Sequence, residues 1–66
     1  MSRIADRKAR IERLLTMIRQ RGDTPIKKVL AKFCIETGTT PFTAKRYLQL
    51  LVDAGEVDES VAKDYL

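Results

Sequence analysis

The sequence predicts an all-α domain of three helices in which a short turn joins the second to the third, and three observations predict it. Apolar residues recur at helical spacing in three separate segments. A glycine follows each segment, at Gly22, Gly38 and Gly55. A proline stands at the start of the second and third, at Pro25 and Pro41. Amphipathic periodicity, left-handed glycine ends and first-turn prolines are independent signals, and they agree on the same boundaries.

Helix 1 is expected over residues 3–21. It carries Ile4, Ile11, Leu14, Leu15 and Ile18, the last four at i, i+3, i+4 and i+7 on one face. Ser2 with Asp6 is a loose start signal, and Arg19 and Arg21 place cations at the negative end of the helix dipole just before Gly22. Arg10 and Arg13 fall off the apolar stripe. In the triplet Arg21-Gly22-Asp23, the glycine ends one helix, while Asp23 or Thr24 is expected to cap the next with Pro25 in its first position.

Helix 2, residues 25–37, sets Ile26, Val29, Leu30, Phe33 and Cys34 along one side and leaves Lys27, Lys28 and Lys32 off it. Cys34 lies on the buried stripe of a chain that has no histidine, so it lacks the usual base of a thiol nucleophile and reads as a packing residue. Thr39-Thr40-Pro41 then opens helix 3, residues 41–54, with a hydroxyl cap and a first-turn proline. Two helices joined by so short a connection must cross steeply.

On helix 3, Ala44, Tyr47, Leu48 and Leu51 form the inner face. Phe42, Thr43, Lys45, Arg46 and Gln49 lie on or near the outer one. Leu50 and Val52 sit off the strict inner stripe and are expected to cover helix 1 or a partner subunit. After Gly55, Glu56-Val57 reads as a short extended segment, and residues 58–66 read as a capped helical turn with Val61 and Tyr65 at i, i+4.

A chain of 66 residues makes one domain, residues 1–66, and buries only about 60% of its unfolded surface. With two Phe, two Tyr and no Trp the core is aliphatic, and a homodimer would supply surface that so small a scaffold lacks. The single cysteine has no partner for a disulfide, and Arg3, Asp6, Arg7, Lys8, Arg10, Glu12 and Arg13 interrupt the apolar residues that a secretory leader would need. The expectation is a cytoplasmic protein, nucleoid-associated in a prokaryote. No stretch approaches the roughly 18 apolar residues of a membrane span, so no membrane partner is expected.

Charge is polarised along the chain. Residues 1–50 hold 12 Lys/Arg against four Asp/Glu, whereas from Leu51 onward Lys63 stands alone against Asp53, Glu56, Asp58, Glu59 and Asp64. A basic body calls for an anionic partner, and nucleic acid is the commonest one for a small domain. Few aromatic side chains are present for base stacking, which disfavours single strands and RNA. Enzymatic activity is not expected. There is no histidine, no metal-ligand spacing, no glycine-rich phosphate loop, and no carboxylate pair in an apolar setting, since Asp58 and Glu59 adjoin in a solvated tail. Nothing calls for a metal, a cofactor or a small-molecule ligand.

The outer residues of helix 3 suit a major groove. Arg46 and Lys45 can donate to guanine or phosphate, Gln49 can pair with adenine, and the threonine hydroxyls can bond to either. Lys28 on helix 2 would anchor the backbone. The alternative expectation is a protein-interaction module in a larger assembly, with the acidic end and Leu50, Val52, Val61 and Tyr65 as its interface.

The stretch from Thr39 to Val57 resembles the winged helix-turn-helix superfamily, as found in small bacterial and archaeal regulators. The likeness lies in the hydroxyl cap at Thr39-Thr40, Thr43 near the helix start, the basic pair Lys45-Arg46, the inward Leu48, and Ala54-Gly55 before an apolar residue. It extends over residues 24–57. It implies a double-stranded DNA-binding transcriptional regulator in which Thr40, Thr43, Lys45, Arg46 and Gln49 meet DNA, Thr40 offering its hydroxyl or helix amides to a phosphate. Members of the superfamily continue into a two-stranded wing with basic residues at its tip. The mostly acidic residues after Val57 do not match one, so either a truncated wing or, preferably, a short C-terminal helix is expected.

Overall fold

Local chemistry at the helix ends sets the frame. The computed structural model describes residues 3–63 and 65, with side chains from Asp6 onward; Ser2, Asp64, Leu66 and the side chain of Ile4 lie outside the described residues. Among the described residues four helices form: α1 (Arg3–Arg19), α2 (Ile26–Thr37), α3 (Pro41–Asp53) and the short α4 (Glu59–Ala62). Among the described residues there is no strand. The domain is all-α, with α1, α2 and α3 packed on one another and α4 docked on α3. No helix in the described residues is long and apolar enough to cross a membrane.

α1 stops at Arg19, two residues before the expected end. The Arg21 amide reaches back only to Ile18 O (3.3 Å), Gly22 turns left-handed (φ 58°), and the Arg21 guanidinium donates to the Thr24 carbonyl at 3.1 Å, holding the turn. The start of α2 also differs from expectation. Pro25 is itself the cap, extended at ψ 143°, and its carbonyl accepts the amides of Lys28 and Val29 (3.0 and 3.2 Å). Asp23 and Thr24 therefore stand too early to cap, and no side chain does so.

Gly38, at φ 71°, ends α2 and donates its amide to Cys34 O at 2.9 Å. The three residues Gly38-Thr39-Thr40 make the whole connection to α3. Thr39 is the buried polar residue of the core, and its hydroxyl is satisfied by Thr37 Oγ1 at 2.7 Å. Thr40 caps α3: its Oγ1 accepts the Thr43 amide (3.3 Å), and its carbonyl accepts that of Ala44 (2.9 Å). Thr40→Ala is expected to lower unfolding stability by about 1 kcal/mol, while Thr40→Ser retains it. Urea midpoints of the two variants check this.

α3 ends in a Schellman arrangement. Gly55 (φ 78°) donates to Val52 O at 3.0 Å and Glu56 donates to Leu51 O at 2.9 Å. The Val57 amide turns to the same Leu51 carbonyl at 3.2 Å. Glu56-Val57 is thus not the extended segment that the sequence suggested, because both amides that would pair with a returning strand are bonded back to α3. Val57 instead enters the core, and the short C-terminal helix follows.

Asp58 caps α4, accepting the Ser60 amide at 2.8 Å, and this bond, then one to the Ser60 side chain, holds its carboxyl below the usual aspartate pKa. A depressed folded-state pKa means that the cap is fully present above the ordinary aspartate range and is lost as the pH falls through Asp58's own, lower value. Acid should therefore release α4 before the core. The Ser60 amide resonance is expected to shift with an aspartate-like titration that Asp58→Asn removes.

The core forms where the apolar stripes meet. Leu14 and Ile18 come from α1, Ile26, Val29, Leu30 and Phe33 from α2, and Ala44, Tyr47, Leu48 and Leu51 from α3, with Val57 and Ala62 closing one end. Ala44 is fully buried and small, so α3 approaches its neighbours closely. Phe33 and Tyr47 meet edge to face at 6.4 Å between centroids. Cys34 packs beside this core, and burial pushes its thiol pKa up, away from the reactive thiolate. Two exposed ion pairs tie α1 to later segments, Arg13 with Glu36 and Arg19 with Glu56, both at 2.9 Å. Each is worth about 0–1 kcal/mol at such exposure.

Candidate nucleic-acid interface

With Ala44, Tyr47, Leu48 and Leu51 turned into the core, the opposite face of α3 presents Phe42, Arg46, Gln49 and Asp53 as one line, and all four are exposed. Phe42 keeps 72% of its surface exposed, more than an aromatic residue in a monomeric core would. The stripe has two unlike flanks. On the α1 side, Thr43 and Arg46 share a cleft with Arg7 and Tyr47. On the other side, Gln49 and Val52 share one of about 380 Å³ with Glu59, Ser60, Ala62 and Lys63, so the acidic C-terminal segment borders the stripe there.

Lys45 lies toward that second flank. Its Nζ stands 5.4 Å from the centroid of the Tyr65 ring, a cation–π distance that steadies the amine without neutralising it. Gln49 is fixed by Asp53 one turn on. Its Nε2 donates to Asp53 Oδ1 at 2.8 Å, and because a carboxylate only accepts, this bond orients the amide. One N–H and the carbonyl oxygen of Gln49 remain, which is the donor and acceptor pair that adenine requires.

Of the two threonines, Thr40 spends its hydroxyl inside the chain. It accepts the Thr43 amide and donates to Thr43 Oγ1 at 3.0 Å. Thr43 accepts that bond, which leaves its own hydroxyl proton to donate elsewhere. Lys28 is exposed on α2, and among the described residues it joins none of the bonds or clefts of α3. The structure thus brings together Thr40, Phe42, Thr43, Lys45, Arg46 and Gln49 and leaves Lys28 apart. Among the described residues, ion pairs engage Arg13 and Arg19, whereas Arg7, Lys8, Arg10, Lys27, Lys28, Lys32, Lys45 and Arg46 have no carboxylate within pairing distance.

The four residues expected at a protein-interaction surface, Leu50, Val52, Val61 and Tyr65, are not equally exposed. Val52, Val61 and Tyr65 are half-buried and pack against the core, because α4 folds back on α3; Leu50 alone is exposed. Sequence reasoning also missed Asp53 and Arg7 at this face, and it named Tyr65 without placing it beside Lys45. Asp53 had a local signal, its i, i+4 spacing from Gln49. Arg7 had one as well, its i, i+4 spacing to Ile11 on the inward stripe of α1, whereas only packing brings Tyr65 to α3. Ile35, 85% exposed among the lysines of α2, was likewise not singled out.

No protein-family model matches the chain, and neither a curated protein nor a solved structure matches it.

Proposed function

We propose that this domain binds double-stranded DNA in a sequence-specific manner through α3, as a transcriptional regulator of the winged helix-turn-helix kind whose wing is replaced by α4. The observation that carries the reading is the stripe Phe42-Arg46-Gln49-Asp53. It is exposed, polar and cation-bearing, and it lies on a helix whose other face is fully committed to the core. A helix laid in the major groove presents such a line to base edges.

The roles follow from chemistry. Gln49, held by Asp53, reads adenine; Phe42 offers an apolar edge to a thymine methyl; Lys45 and Arg46 donate to guanine or phosphate. Lys28 and the other unpaired cations of the basic body supply sequence-independent attraction. Asp53 and the acidic segment beyond it repel phosphates on one side, which orients the domain on the duplex and disfavours indiscriminate binding.

Selection of bound duplexes from a random pool tests the reading. The wild-type domain should enrich a common sequence. Gln49→Ala should lose about 1–3 kcal/mol of discrimination at a single base pair of that sequence. Lys28→Ala should weaken all duplexes alike. A pool that shows no enrichment would remove base reading from α3.

A further inference from the structure

We infer that Arg7, Thr43 and Arg46 together form a binding cleft for a single phosphodiester group, so that α1 and α3 clamp one DNA backbone phosphate between them. This rests on the DNA-binding reading for its natural ligand. It assigns Arg46 to the backbone and leaves Phe42 and Gln49 as the base readers.

The three side chains, with Tyr47, line one surface cleft of about 180 Å³, between the N-terminal part of α1 and the first half of α3. Among the described residues no carboxylate lines it, neighbouring Asp6 included, whereas Glu59 lines the cleft on the opposite flank of α3. Two guanidinium groups at one cleft repel each other unless an anion lies between them. Two other arginines of α1, Arg13 and Arg19, each have a glutamate oxygen at 2.9 Å. Among the described residues no side chain supplies the counter-charge at the cleft.

Shape and hydrogen bonding narrow its class. Guanidinium forks match the paired oxygens of a phosphate, and two of them from different helices can hold the two non-bridging oxygens. Thr43 supplies a neutral donor in a fixed position, because its oxygen already accepts from Thr40 and its own proton is uncommitted. It also stands in the first turn of α3, where the positive end of the helix dipole favours an anion. A helix in the major groove has backbone phosphates along both flanks, and among the described residues the cleft on the α1 flank is lined by cations and no carboxylate, unlike the one bordered by Glu59.

Two measurements test the clamp on the intact chain. The first titrates inorganic phosphate against chloride at matched ionic strength and follows the arginine Nε–Hε NMR signals. Arg7 and Arg46 should move together and saturate, while Arg13 and Arg19, already paired, stay still; equal movement of all arginines, or none, overturns the cleft. The second measures duplex binding against salt. Arg7→Gln should flatten the log–log slope by about 0.9 and weaken selected and random duplexes by the same factor, whereas Lys8→Gln, an equal loss of charge one residue away, should not. Equal effects of the two variants overturn the clamp and leave DNA binding standing. If the wild type binds no duplex, the DNA reading falls, and the phosphate titration still decides the cleft.

Discussion

Phe33→Ala is expected to leave the domain largely unfolded at 25 °C. Phe33 is fully buried, stands edge-on to Tyr47, and belongs to the core that all three long helices share. Truncating a buried Phe to Ala costs about 3–5 kcal/mol, transfer and cavity terms together. A single core in a chain of this length supplies little more than about 3–5 kcal/mol in all. The two quantities are equal within their spread, so the folded population should collapse. Thermal scans by circular dichroism should show a cooperative transition for the wild type and none for the variant. A variant that melts within a few degrees of wild type would mean that the core lies elsewhere.

Lys45→Ala/Arg46→Ala is expected to have the largest effect on binding with little on folding. Both side chains are exposed and neither has a carboxylate partner among the described residues, so the structural loss is confined to the Lys45–Tyr65 contact, about 0.5–1 kcal/mol. The binding loss is greater. The charge-assisted bonds of Arg46 to phosphate are lost, and two lost cations release two fewer counterions. Affinity for a selected duplex should fall at least tenfold at physiological salt, with the circular dichroism spectrum unchanged. Fluorescence anisotropy of a labelled duplex reads the first and the spectrum reads the second.

The three long helices and their faces were legible because helical periodicity is local: Leu14, Leu30, Phe33, Ala44 and Leu48 each announce their burial by spacing to neighbours one turn away. The glycine ends and the Thr40 cap were legible for the same reason. Terminal geometry was less so. Whether Pro25 opens α2 or stands just outside it depends on one ψ angle, and the end of α1 depends on where the Arg21 side chain finds its carbonyls. The docking of α4 was not legible, because four residues carry too little periodicity to say what they pack against; hence Val52, Val61 and Tyr65 read as exposed when they are half-buried.

At the candidate site the outer residues of α3 were readable and their surroundings were not. Gln49 could be placed by spacing, but Asp53 was grouped with the acidic tail although it stands one turn from Gln49 and orients it. Arg7 stands one turn before Ile11, in line with the stripe that α1 turns toward the other helices. Its position beside Thr43 and Arg46 follows from how α1 crosses α3, which is fixed by the fit of side chains in the core and has no signature along the chain.

The most direct test of the central claim is a salt titration of binding to random duplex DNA, with the wild type and the Lys45→Ala/Arg46→Ala variant side by side. If α3 lies on DNA, the wild type binds at low salt, its log affinity falls linearly with log salt, and the variant's slope is shallower by about 1.8. Absence of wild-type binding at low salt, or identical slopes for the two proteins, would contradict the placement of α3 on DNA.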